Sequence, residues 1–174
     1  DVVIQTKQMS CVSACGEMLS NGEFKQAELI KTLGAPCDIR ELAEALGTPW
    51  KGKGMPEREL DNLLERGPWA AELRELPPPS QYKRLGPAHT VLIDGLDKQG
   101  NIMIRDPADG TRYEMTRSNF LKHWTLHSVF TTSPRNGIET NESGIVVARK
   151  NDKNPRRIYS TLAVSRSFCR RSNA

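Results

Sequence analysis

The residue types best suited to chemistry gather around Cys11, in the stretch Gln5-Thr6-Lys7-Gln8-Met9-Ser10-Cys11-Val12-Ser13-Ala14-Cys15. Ser10 is a favoured helix N-cap residue, since its hydroxyl can accept from a first-turn N–H. That places Cys11 at the first helical position, facing the positive end of the helix dipole, where the thiolate is favoured. Val12, Cys15, Met18 and Leu19 recur at spacings of three and four, which makes a buried stripe and leaves the helix tip free. A nucleophile needs a base, and a base needs an orienter. His89 opens the β-rich run Thr90-Val-Leu-Ile-Asp-Gly95, and Asp106 closes Asn101-Ile-Met-Ile-Arg105, with the turn Asp97-Lys-Gln-Gly100 between them. Paired as a hairpin, the start of the first strand lies beside the end of the second, so His89 meets Asp106. Gln5, on an extended segment ahead of Cys11, could aim its amide N–H at the same spot and form an oxyanion hole with the Cys11 N–H. Gln8 is the alternative donor, with less reach because it lies closer to the helix start.

The elements that must position these groups can be read from periodicity. Residues 1–9 read as extended and the nucleophile helix runs to about Ser20. Phe24, Ala27, Leu29, Ile30 and Leu33 have helical period, and Gly34 ends that helix. Asp38-Ile39-Arg40-Glu41 reads as a capping box opening a helix through Leu42, Ala45 and Leu46, stopped by Gly47. Trp50-Lys-Gly-Lys-Gly-Met-Pro56 reads as a turn-rich loop, and a fourth helix carries Leu60, Leu63 and Leu64. Strands are expected at 69–76, 90–95, 101–105, 111–115 and 124–131, with Pro77–Ser80 a stiff connector and Thr116 capping a short helix before Trp124. Helices first and an antiparallel sheet later is an α+β plan.

Composition bounds the rest. A chain of 174 residues with 37% apolar content and mean hydropathy −0.56 is long enough for one domain with a core. No apolar run reaches the ~18–20 residues of a membrane span. The opening Asp-Val-Val-Ile-Gln has neither an initiator Met nor the basic start of a signal peptide, which reads as a piece of something longer. Four cysteines, Cys11, Cys15, Cys37 and Cys169, are too sparse for a disulfide scaffold, so reduced thiols and a cytosolic place of work are expected. A zinc site from Cys11, Cys15, Cys37 and His89 lacks C-x2-C spacing, and no metal or other cofactor is expected. The net charge is +4, yet residues 135–174 hold nine Lys/Arg against three Asp/Glu, leaving the body net acidic. That segment reads as a basic, mostly disordered tail following a domain at 1–134. Direct nucleic-acid binding is disfavoured because the body is acidic and has no stacking motif.

Each site residue also has a plain reading. Cys11 could be a buried structural thiol, His89 a strand-edge histidine, and Asp106 a turn residue before Pro107. The combination weighs more than any one of them. Cys15 and Trp124 read as core, and His123 and His127 as surface or packing residues.

Taken together, Gln5, Ser10-Cys11-Val-Ser-Ala-Cys-Gly-Glu-Met-Leu19, Gly86-Pro-Ala-His89-Thr-Val-Leu-Ile-Asp-Gly95, Asn101-Ile-Met-Ile-Arg-Asp106-Pro-Ala-Asp-Gly110, Phe120 and Trp124 resemble the C39 family of papain-like cysteine peptidases over residues 3–132. The family includes leader-peptide-cleaving domains of bacteriocin exporters, and related papain-like domains occur in bacterial toxins. The resemblance implies Cys11 as nucleophile, His89 as base, Asp106 as orienter and Gln5 as oxyanion donor. It also implies a narrow cleft for small residues, often Gly-Gly, ahead of the cut. Exporter domains usually read Asp-Cys-Gly where this chain has Ser10-Cys11-Val12, and membrane helices follow them. Both departures point to the toxin-like branch: a secreted or delivered effector domain of a larger protein, acting in a target-cell cytoplasm and travelling with an immunity protein. Two other readings stand beside it. One is Gln deamidation or transglutaminase-like transfer by the same triad. The other is a non-catalytic peptide-binding module of C39 type, against which the presence of Cys11 argues.

Overall fold

The computed structural model describes residues 1–74 and 88–132, together with the strand backbones at 138–140 and 146–148. The chain divides into a unit of residues 1–136 and a second of residues 137–174. The first contains α1 (Cys11–Leu19), α2 (Gln26–Leu33), α3 (Glu41–Leu46), β1 (Trp50–Gly54), a 3-10 turn (Glu57–Glu59) running into α4 (Leu60–Glu65), β2 (Trp69–Leu73), β3 (His89–Leu96), β4 (Ile102–Arg105), β5 (Arg112–Met115), α5 (Arg117–His123) and β6 (Trp124–Thr131). In the second unit, β7 (Ile138–Thr140) and β8 (Val146–Ala148) pair antiparallel. The expected connector Pro77–Ser80 and the rest of the expected tail lie outside the described residues.

Strand alternation builds two cores on one sheet. The six strands of the first unit are all antiparallel, in the order β1-β6-β2-β3-β4-β5. Successive side chains point to opposite faces. Trp69, Ala71 and Leu73 of β2, with Val91 and Ile93 of β3 and Ile102 and Ile104 of β4, join Phe120, Trp124 and Phe130 in one cluster. The residues between them, Ala70 and Leu92, join Val129 of β6 in another. There they pack against Val12, Cys15, Met18 and Leu19 of α1, Leu29 of α2, and Ile39, Leu42 and Leu46 in and around α3. The sheet is therefore buried on both faces at its centre, and α1 lies across β3.

Three local readings are corrected. Trp50–Gly54 is a strand, not a loop, and pairs with β6 from Trp50↔Thr131 to Gly54↔His127. Its Gly52 serves packing rather than turning. A Cβ there would lie 2.5 Å from the Arg40 carbonyl oxygen, so only glycine lets α3 sit this close to β1. Asp38 does not cap α3, which starts at Glu41 and has no side-chain cap. Its carboxylate accepts the Arg40 N–H at 2.8 Å and pairs with the Arg40 guanidinium at 2.5 Å, a local bond that competes with capping. Residues 6–9 form bends and turns instead of extending, and Met9 takes a left-handed φ of 68° just before the nucleophile helix. Thr116 does cap α5, accepting the Asn119 N–H.

Candidate active site

Helix α1 begins at Cys11 as its sequence implies, but Ser10 does not cap it through its side chain. With φ −99° and ψ 22°, the Ser10 hydroxyl is turned back toward the preceding loop. It accepts the Lys7 N–H at 3.1 Å, and it lies 2.9 Å from the Lys7 carbonyl and 3.2 Å from the Gln26 Oε1. The Ser10 side chain thus does not cover the first-turn N–H groups of α1, whose positive end begins at Cys11.

The hairpin does what its sequence implies. β3 and β4 pair antiparallel, and His89 Nε2 lies 2.8 Å from Asp106 Oδ1, with both residues buried, at 4% and 0% exposure. Asp106 is held by its own turn. The same Oδ1 accepts the Ala108 N–H at 2.9 Å, and the Asp106 N–H donates to the Thr111 carbonyl at 2.9 Å. Burial, then the nearby Asp106 charge, push the Tyr113 phenol far above its ordinary value.

With Nε2 committed to Asp106, Nδ1 is the ring nitrogen left for Cys11, and the two side chains are near enough to perturb each other's ionisation. Burial alone would raise the Cys11 thiol. The His89 hydrogen bond and charge, with hydrogen bonds from Thr90, outweigh it and bring the thiol below its ordinary value. Burial would likewise lower His89, but its hydrogen bonds to Asp106 and Cys11 raise it above the ordinary histidine range. These opposed shifts favour a thiolate–imidazolium pair.

The other described thiols behave differently. Cys15, one turn on, is fully buried, donates toward the Thr90 carbonyl at 3.6 Å and is raised well above the usual thiol range by burial. Cys37 is half-buried and raised to about 11, first by burial and then by the Cys11 charge. All three are free thiols, and Cys11 is the one of them whose thiolate is favoured.

Gln5 lies at the edge of this group. Its backbone N–H donates to the Pro107 carbonyl at 2.7 Å, beside Asp106, and its Nε2 donates to the Lys7 carbonyl at 3.3 Å. The structure therefore joins His89 to Asp106 directly, sets Cys11 close enough to His89 to shift it, and ties the Gln5 backbone to Pro107 beside them. Trp124 and Phe120 are core residues. His123 Nδ1 contacts the Arg74 carbonyl at 2.9 Å, and His127 faces Glu72 at 3.5 Å. Among the described residues, no three His, Cys, Asp or Glu side chains are grouped to hold a metal ion. Sequence reasoning missed Thr90. Only its position after His89 hints at its contact with the sulfur, which comes partly from its main chain.

This arrangement can ionise a thiol, keep an imidazolium beside it and hold that imidazolium's ring with a buried carboxylate. The fold defines the class. Over 74% of this chain and 94% of the other, the structure is similar to the peptidase domain of Streptococcus ComA, a bifunctional ABC transporter involved in quorum sensing, with TM-score 0.54 and 18% identity. The peptidase domain of Streptococcus mutans ComA in complex with a small-molecule inhibitor aligns with TM-score 0.52 and 20% identity, covering 76% of this chain and 99% of that one. The chain has the papain-like fold of the C39 peptidase domains. By sequence it is 32% identical, over 133 residues, to cysteine protease effector 1 of Escherichia coli O1:K1:H7. The match spans 75% of this chain and 26% of that relative, so it covers about a quarter of the relative's length. No family model matches the chain. Among the described residues, no helix is long and apolar enough to cross a membrane.

Proposed function

We propose that this chain is a papain-like cysteine endopeptidase with Cys11 as nucleophile, His89 as base and acid, Asp106 as orienter and Gln5 as oxyanion donor. The observation that carries the reading is the buried His89–Asp106 pair at 2.8 Å, with the Cys11 thiol lowered by its nearness to that same histidine. The Cys11 thiolate attacks a peptide carbonyl carbon. A carbon–sulfur bond forms as the carbonyl π electrons move to oxygen. The resulting oxyanion is met by the Cys11 N–H, at the start of α1, and by the Gln5 amide. As the tetrahedral species collapses, the His89 imidazolium gives its proton to the departing amine, leaving a thioester. Neutral His89 then takes a proton from water, whose oxygen displaces the sulfur and frees the new carboxylate.

The C39-type fold supports a cleft for small residues, Gly-Gly among them, ahead of the cut. Similarity to a protein named as an effector supports a domain of a larger secreted or delivered antibacterial protein, acting inside a target cell and held in check in the producer by an immunity protein. The test is mass spectrometry of a bacterial lysate exposed to wild-type and Cys11→Ala protein. New N-termini after small residues, seen with wild type alone, are expected. Single-unit mass gains at Gln without cleavage would replace the peptidase with a deamidase, and no difference would leave a binding module.

A further inference from the structure

The Gln5 side chain is weakly held. Its Nε2 makes one 3.3 Å bond, to the Lys7 carbonyl, and its Oε1 makes none. The peptide units on either side are what fix it, and one buried residue grips both. Gln26, the first residue of α2, is 4% exposed. Its Nε2 donates to the Ile4 carbonyl at 3.0 Å, and its Oε1 accepts the Thr6 N–H at 2.7 Å and the Thr6 hydroxyl at 3.0 Å. The same Oε1 lies 3.2 Å from the Ser10 hydroxyl. The Gln26 N–H is itself anchored on α1, donating to Glu17 Oε2 at 2.8 Å. A single amide is thus bonded to the residue before Gln5, the residue after it, and the residue before Cys11. A buried network with its bonds made specifies one geometry and is costly to break.

We propose that Gln26 is a positioning residue for the oxyanion hole, setting the Gln5 amide against the Cys11 N–H. The inference rests on the reading of Cys11 as nucleophile and Gln5 as oxyanion donor. Gln26 acts on carbonyl addition, when charge develops on oxygen. It does not act on ionisation of the thiol, which His89 and Thr90 govern. The two can be separated. Alkylation of Cys11 by iodoacetamide forms a carbon–sulfur bond and expels iodide, with no oxyanion to stabilise.

The experiment compares wild type, Gln26→Met, Gln26→Glu, Gln5→Ala and the Gln5→Ala/Gln26→Met pair. The readouts are kcat and KM on a peptide taken from the lysate cleavage, the Cys11 alkylation rate mapped by mass spectrometry, and thermal melting. Gln26→Met is expected to lower kcat about 10- to 100-fold, the scale of a small misplacement in a site. KM and the alkylation rate should stay within about 2-fold, because ground-state binding and the thiolate are untouched. Gln26→Glu keeps the acceptor side but turns a carboxyl oxygen on the Ile4 carbonyl, so it should show the same signature; it carries the test if Gln26→Met does not fold. In the Gln5→Ala background, Gln26→Met should cost less than about 2-fold more, since the group it positions is gone. A full additive loss there, or alkylation falling in step with kcat, would overturn the inference. An unchanged kcat in Gln5→Ala alone would instead remove Gln5 from the site, and Gln26 with it.

Discussion

The two faces of the sheet are packed by different means and serve different ends. One is aromatic: Trp69, Phe120 and Trp124 meet with ring centroids 5.6 to 6.0 Å apart. The other is aliphatic and small, with Ala70, Leu92 and Val129 beneath Val12, Cys15 and Leu42, and it seats the helix that carries Cys11. Large rings supply area and T-shaped contacts that stabilise the sheet. Small side chains let α1 come close enough for its Cys15 sulfur to bond the Thr90 carbonyl. The helix that carries the nucleophile is thus seated on one face while the large rings fill the other, and substitutions in the two clusters should fail in different ways.

The largest effect belongs to Cys11→Ala. It should lower peptide cleavage by on the order of 10⁴-fold or more, since the nucleophile is removed. Its melting temperature should stay near wild type, because little volume is lost at a helix tip; a large drop would mean Cys11 is a structural thiol. Trp69→Ala on the opposite face should do the reverse. It removes a fully buried ring and should cost about 3–5 kcal/mol in denaturant unfolding, while the protein that remains folded keeps its Cys11 alkylation rate.

Next comes Asp106→Asn, expected to lower kcat less than His89→Ala does, because the carboxylate orients and charges the ring without reacting. Its pH profile sharpens the point. In the wild type, activity falls on the acid side as the lowered Cys11 thiolate takes a proton. It falls on the alkaline side as His89, raised above its ordinary value, loses one. After burial, Asp106 is the foremost cause acting on His89, and it acts to raise it, so Asp106→Asn should move the alkaline limb downward. An unmoved limb would take Asp106 out of the site. The smallest effect is Gly52→Ala. Forcing a Cβ against the Arg40 main chain should cost about 1–3 kcal/mol in thermal or denaturant unfolding and leave kcat near wild type; an unaltered melt would show that α3 has room to shift.

Side-chain chemistry at the ends of regular elements could be read from the sequence. A turn of four residues between two β-rich runs sufficed to bring His89 to Asp106, because antiparallel pairing leaves little choice. The Cys11 helix could be read from its apolar stripe. What could not be read was set by backbone approach and by competing polar partners. Gly52 looks like a turn residue until Arg40 is seen against it. Ser10 and Asp38 are ideal caps by type, yet both bond nearby residues instead, Ser10 at Lys7 and Asp38 at Arg40. Gln26 lies at the start of an ordinary amphipathic helix, and nothing in its spacing reveals a buried amide reaching back to Ile4 and Thr6.

Thr90 makes the site late to arrive. The bond from Cys15 to its carbonyl closes a span of 75 residues, and Gln5 is tied across a longer one to Pro107. As the chain leaves the ribosome, the nucleophile comes first, while the base, its orienter and the carbonyl that holds Gln5 come only after most of the sheet. Contacts this distant in sequence form slowly, because the intervening loop must close before they reward it. A nascent chain therefore carries an ordinary thiol until β3 and β4 have been made and have paired.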